Sequence, residues 1–96
     1  MKVTALWPVT MAMRMLGEDD RLEVAAWLRH LEDWEEDEYM RSHSHRLESD
    51  DDSYVLKTHS DFVVFFRLKN DTIEVTDITR KAALESFKNV KEPSRS

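Results

Sequence analysis

The chain has no cysteine, one glycine and two prolines in 96 residues. Without a thiol there can be neither a disulfide framework nor a thiolate metal site, and a reducing compartment suits such a chain, so the cytoplasm is the expected location. A single glycine excludes collagen-like repeats and the glycine-rich loops that cradle nucleotide phosphates, which removes nucleotide-dependent phosphoryl transfer from consideration. Long apolar runs are also missing. None approaches the ~20 residues needed to cross a bilayer, and the opening MKVTALWPVT lacks the apolar centre of a secretory signal, so we expect a soluble protein with no membrane partner.

Hydrophobic residues make up 41% of the chain and include three Trp, four Phe and two Tyr, enough to build a core although 35% of residues are charged. The length fits one domain. The net charge of -6 is unevenly spread: residues 1–53 carry 6 basic against 14 acidic side chains, and residues 54–96 carry 8 against 6. A phosphate backbone is therefore repelled by the first half, and any nucleic-acid contact has to come from a local patch in the second.

Residues 2–7, KVTALW, are rich in strand formers and predict an N-terminal strand closed by Pro8. Thr10 is positioned to cap a short helix over Met11–Leu16, stopped by Gly17. Asp19 or Asp20 is positioned to cap a second helix, in which Val24, Trp27, Leu28, Leu31 and Trp34 recur at three- and four-residue spacing as one apolar stripe. The acidic run Glu35, Glu36, Asp37 and Glu38 falls where that helix should fray, because the backbone dipole disfavours negative charge at a helix C-terminus. Residues 40–53, MRSHSHRLESDDDS, show no periodicity and predict a mobile acidic, histidine-containing loop.

The remainder reads as a three-stranded antiparallel meander over residues 54–59, 62–69 and 72–79, with turns at Ser60–Asp61 and Asn70–Asp71. A two-residue turn at Asn70–Asp71 sets Lys69 opposite Thr72, Leu68 opposite Ile73, Arg67 opposite Glu74 and Phe66 opposite Val75. Phe62, Val64, Phe66, Leu68, Ile73 and Val75 then share the face that packs on the helices, and Val63, Phe65, Arg67, Lys69, Glu74 and Ile78 form a mixed opposite face. Lys57 joins that mixed face or leaves it according to the length of the Ser60–Asp61 turn. Thr79 can cap a last short helix carrying Ala83, Leu84 and Phe87. The expected architecture is thus a single α+β domain over residues 1–92, a helical hairpin on one face of a small sheet, followed by a polar tail at 93–96.

This order of elements, carried by VTALWPVTMAMRML, by RLEVAAWLRHL and by YVLKTHSDFVVFFRLKNDTIEVTDITRK, resembles the RelE/ParE superfamily of bacterial toxin components over nearly the whole chain. The resemblance implies a cognate antitoxin as partner. It implies, for RelE-like members, metal-independent cleavage of messenger RNA on the ribosome without a cofactor, and for ParE-like members inhibition of DNA gyrase. Free of its partner, the protein is expected to be a monomer or weak dimer. Transphosphorylation from a 2'-hydroxyl needs a base and cations around the developing phosphorane. Lys57, His59, Arg67, Arg80 and Lys81 are the candidates, Lys57 resembling a family position before the hairpin and Arg80 or Lys81 the basic residue after the last strand. Two positions depart from the nuclease pattern: Val63 stands where an arginine is usual, and Phe87 lacks the hydroxyl of the C-terminal tyrosine.

Each candidate also has a plainer reading. An exposed cross-strand pair with Glu74 is the simpler account of Arg67. A solvated turn histidine accounts for His59, although an imidazole titrating near neutrality suits a general base. His43, His45 and Asp50–Asp52 offer metal-ligand chemistry, but a flexible loop would not preorganise it, and no metal is expected. Trp27, Leu31 and Trp34 fit a core stripe better than a partner groove. A different class of function stays open: a non-catalytic interaction protein of the same fold whose acidic first half meets a basic partner.

Overall fold

The computed structural model describes residues 1–47 and 52–83. Strand β1 (Lys2–Ala5) leads into helix α1 (Trp7–Arg14), helix α2 (Glu18–His30) and a short 3-10 turn over Leu31–Asp33. Helix α3 (Glu38–Ser42) and strands β2 (Ser44–Arg46), β3 (Ser53–Lys57), β4 (Phe62–Lys69) and β5 (Thr72–Arg80) complete the order. One five-stranded sheet runs β1-β5-β4-β3-β2, with β1 parallel to β5 and every other pair antiparallel. The domain is α+β, as expected.

Pro8 opens α1 instead of closing a strand: it sits in the first turn, where its missing N–H has no helical partner to lose, and Leu6 rather than Thr10 is the N-cap. Gly17 is likewise the N-cap of α2 and not the stop of α1, and Asp19 and Asp20, expected as caps, lie with Glu18 in the first turn, where the dipole favours their charge. The Arg21 side chain donates to the carbonyls of Met13 and Leu16 at 3.2 and 3.1 Å, satisfying backbone acceptors at the C-terminal end of α1. Val9 and Met13 of α1, with Leu16 just past its end, face the core, while Trp7 and Met11, with Met15 at the C-cap, form a second stripe facing outward.

Residues 40–47, 52 and 53 do not form the single loop the composition predicts, and residues 48–51 of that stretch lie outside the described residues. Asp37 caps α3 by accepting the Met40 N–H at 3.2 Å, Met40 is buried, and β2 pairs with β3 to extend the sheet by a strand. The Trp34 indole donates to Ser44 Oγ at 3.0 Å and lies edge-on to Tyr54 and Phe66, so this tryptophan ties the end of the helical region to β2 and the core. Trp27 and Trp34 are partly buried against a core that includes Leu31, as the stripe requires.

The β4–β5 register is the expected one from Lys69–Thr72 to Phe66–Val75. Beyond it a bulge between Phe65 and Phe66 leaves Thr76 unpaired, its hydroxyl donating to the Phe65 carbonyl at 3.3 Å. One extra residue reverses the alternation of everything after it. Ile78 therefore pairs with Val64 and is buried in the core, correcting its assignment to the mixed face, and Arg80 pairs with Phe62 on the helix side. Phe62, Val64, Phe66, Ile73 and Val75 line the core face as predicted. Of the predicted C-terminal helix, residues 81–83 are helical, while Leu84, Phe87 and the tail lie outside the described residues.

Candidate effector surface

Lys57 pairs with Val63, which resolves the open question of the first turn: Lys57 shares the outer sheet face with Arg67 and Lys69. That face also carries His45, Ser53, Thr72 and Glu74. It is closed at the end nearest the β3–β4 connection, where Val63 is wholly buried and Val55 nearly so. Arg67 donates through Nε and a terminal nitrogen to Glu74 Oε1 at 3.2 and 2.9 Å, the cross-strand pair that the register predicts. It stands four residues along β4 from the position facing Lys57, roughly 13 Å at the rise of a strand.

Arg80 and Lys81 bond to residues 58–61, the connection between β3 and β4, which carries His59 and follows directly on Lys57. This loop is built from its own side chains. Thr58 Oγ1 accepts the Ser60 N–H at 3.0 Å, Ser60 Oγ accepts the Phe62 N–H at 3.2 Å, and the same hydroxyl donates to the Glu23 carboxylate of α2. Thr58 and Ser60 are 6% and 4% exposed, and His59 between them is presented to solvent. Lys81 donates its ammonium to the Thr58 carbonyl and its backbone N–H to the Asp61 carbonyl.

Arg80 is spent on ion pairs that hold this loop. One terminal nitrogen meets Asp61 at 2.9 Å, the other meets Asp20 of α2 at 2.6 Å, and the guanidinium lies 4.7 Å from the centre of the Phe62 ring. The hydrogen bond to Asp20, then that to Asp61, raises its pKa above the ordinary arginine value. The arrangement joins α2, the β3–β4 loop and the end of β5, and it places Arg80 on the helix side of the sheet, inside β5 and not beyond it.

An aromatic cluster that sequence reasoning missed surrounds His59. Tyr39 of α3 shares a hydrogen bond of 2.9 Å with His59 Nδ1, its hydroxyl also receives the His59 backbone N–H at 3.4 Å, and the His59 ring stands edge-on to Trp27 at 5.5 Å. Tyr39 in turn stacks on His43 at 4.0 Å and on Trp27 at 6.2 Å. His43 is thus held at the end of α3 and His45 lies on the outer sheet face; among the described residues no group of His, Asp or Glu has the spacing to hold a metal. Only the capping sequence around Asp37 signals the helix that carries Tyr39.

Compared with solved structures, the chain superimposes on the isolated E. coli RelE toxin with a TM-score of 0.62 over 93% of its own length and 97% of that chain, at 14% identity. The intact E. coli RelBE toxin-antitoxin complex gives a TM-score of 0.63 over 82% of this chain and 94% of that one, at 13% identity. The fold is that of the RelE toxin. No family model matches the chain, and no curated protein matches it. The RelE-like fold confirms the resemblance carried by the strand and helix order, at an identity too low for side-chain chemistry to follow from it. No helix among the described residues is long and apolar enough to cross a membrane.

Proposed function

We propose that the protein is the toxin component of a bacterial toxin-antitoxin pair and acts on translation by cleaving ribosome-bound messenger RNA. The observation that carries this reading is the placement of His59 and Lys81 at the β3–β4 connection of a RelE-like sheet, with Lys57 at the end of β3 just before it and Arg67 farther along the outer face. Cations there would hold the scissile phosphate and the imidazole would move the proton, so the reaction needs no metal. Arg80 contributes through architecture: it holds the loop that carries His59. The antitoxin is the expected partner because the similar RelBE complex pairs a RelE toxin with one. Its docking ground is the outward stripe of α1, where Trp7 and Met15 are 72% and 84% exposed, together with Leu22 on α2.

A second reading rests on two observations. Val63 is buried where the nuclease pattern has arginine, and a shallow hollow of about 510 Å³ lined by Asp33, Glu36, Asp37, Glu38 and Tyr39 offers carboxylates to a basic protein. On this reading the chain is a non-catalytic interaction protein of the same fold whose acidic first half meets a basic partner. Induced expression in bacteria separates these readings. The translation reading expects arrested growth with shortened messenger RNA on ribosomes and unchanged DNA supercoiling. Altered supercoiling with intact messages would replace it with gyrase inhibition, and unimpaired growth with intact messages would leave the binding protein.

A further inference from the structure

We propose that Tyr39 is the positioning residue of a proton-transfer site in which His59 is the base, a proposal that rests on the messenger-cleaving function above. A general base has to be exposed on its reacting side and held on the other. His59 meets both conditions: it is exposed between the buried and hydrogen-bonded Thr58 and Ser60, and its ring is packed edge-on against Trp27.

The Tyr39 hydroxyl decides which nitrogen works. In the proposed site the Tyr39 hydroxyl oxygen, which already receives the His59 backbone N–H, also accepts from His59 Nδ1–H, and this tautomer leaves the Nε2 lone pair free to take a proton. Tyr39 is itself fixed by stacking on Trp27 and His43. His43 Nδ1 donates to the Tyr39 carbonyl at 2.8 Å, which stiffens the end of α3 behind the ring. Two further cations belong to this end of the sheet: Lys81, bonded to the carbonyl just before His59, and Lys57, two residues upstream in the chain and without an ion pair among the described residues.

The reaction this arrangement fits is transphosphorylation. His59 Nε2 removes the proton of a ribose 2'-hydroxyl, and the freed 2'-oxygen electron pair forms a bond to the adjacent phosphorus. The bond from phosphorus to the 5'-oxygen breaks, and that oxygen takes a proton from the Lys57 ammonium. The products are a 2',3'-cyclic phosphate and a 5'-hydroxyl end. Solvent then removes the proton from His59 and restores that of Lys57.

The test combines nitrogen NMR of the full chain, labelled in its histidines, with single-turnover cleavage of a defined messenger on ribosomes. The wild type should carry the neutral His59 proton on Nδ1, and Tyr39→Phe, which keeps the stacked ring and loses only the hydroxyl, should move it to Nε2. Cleavage should fall on the order of 10²- to 10⁴-fold in His59→Gln. In Tyr39→Phe it should fall roughly 10- to 100-fold in rate with the half-saturating ribosome concentration unchanged. Added imidazole should restore part of the activity of His59→Ala and none of that of Tyr39→Phe. A wild-type rate in either His59→Gln or Tyr39→Phe, or a proton on Nε2 in the wild type, overturns the proposal while leaving the cleaving function in place. Absence of cleavage by the wild type itself overturns the function and this role together.

Discussion

Arg80 shows how a residue chosen for its charge becomes a structural one. Asp20 and Asp61 accept from separate nitrogens of its planar guanidinium, a geometry that a lysine cannot reproduce. Arg80→Ala is therefore expected to lower the thermal unfolding midpoint, and Arg80→Lys to recover only part of the loss; wild-type stability in both would show the clamp to be inert. Because neighbouring carboxylates raise the guanidinium's pKa, its contribution is present below the unfolded value and is lost only as pH rises through the still higher folded value, above the physiological range. Arg67 should behave differently. Its pair with Glu74 is solvent-accessible, so Arg67→Ala is expected to cost only about 0.2–1 kcal/mol in denaturant unfolding, and any larger effect on messenger cleavage would report phosphate binding. Asn70 holds a positive φ of 56° in the β4–β5 turn, so Asn70→Val should destabilise by about 1–2 kcal/mol while Asn70→Gly is tolerated.

Among the elements, hydrophobic alternation made β4 and the first half of β5 legible, since a one-residue slip would have turned Phe66, Ile73 and Val75 out of the core. The bulge was not legible. Thr76 resembles any other strand residue, yet its insertion moves both Ile78 and Arg80 to the helix side. All five candidate site residues could be named from the sequence, but not sorted into those facing solvent and those spent on the fold, because the bulge that turns Arg80 to the helix side leaves no mark in the pattern. Helix α3 and strand β2 escaped notice because each is too short for periodicity to register, and their stability comes from Asp37, buried Met40 and the Trp34–Ser44 bond. Asp37→Ala should cost about 0.5–2 kcal/mol as a lost cap, and Met40→Ala about 2–5 kcal/mol as a core truncation, both measurable by denaturant unfolding. Loss of β2 pairing in hydrogen exchange without global unfolding would be the expected first consequence of either.

Across the whole molecule, the exposed apolar stripe of the helices and the sheet end that carries His59 are separate surfaces. The exposed α1 stripe is available to an antitoxin, and the sheet end that carries His59 is built from α2, α3 and three strands, so small changes far apart in sequence bear on one site. Alone, the chain should sediment as a monomer or weak dimer, and a double change of Trp7 and Met15 to Glu should abolish antitoxin capture without altering cleavage. Messenger cleavage on the ribosome is the activity on which the proposed function stands. The most direct measurement adds purified chain to ribosomes programmed with one defined messenger and maps the 5' ends by primer extension. New ends within the ribosome-covered region, absent when ribosomes are omitted and lost in His59→Gln, are the predicted result; an intact messenger at stoichiometric protein would contradict it.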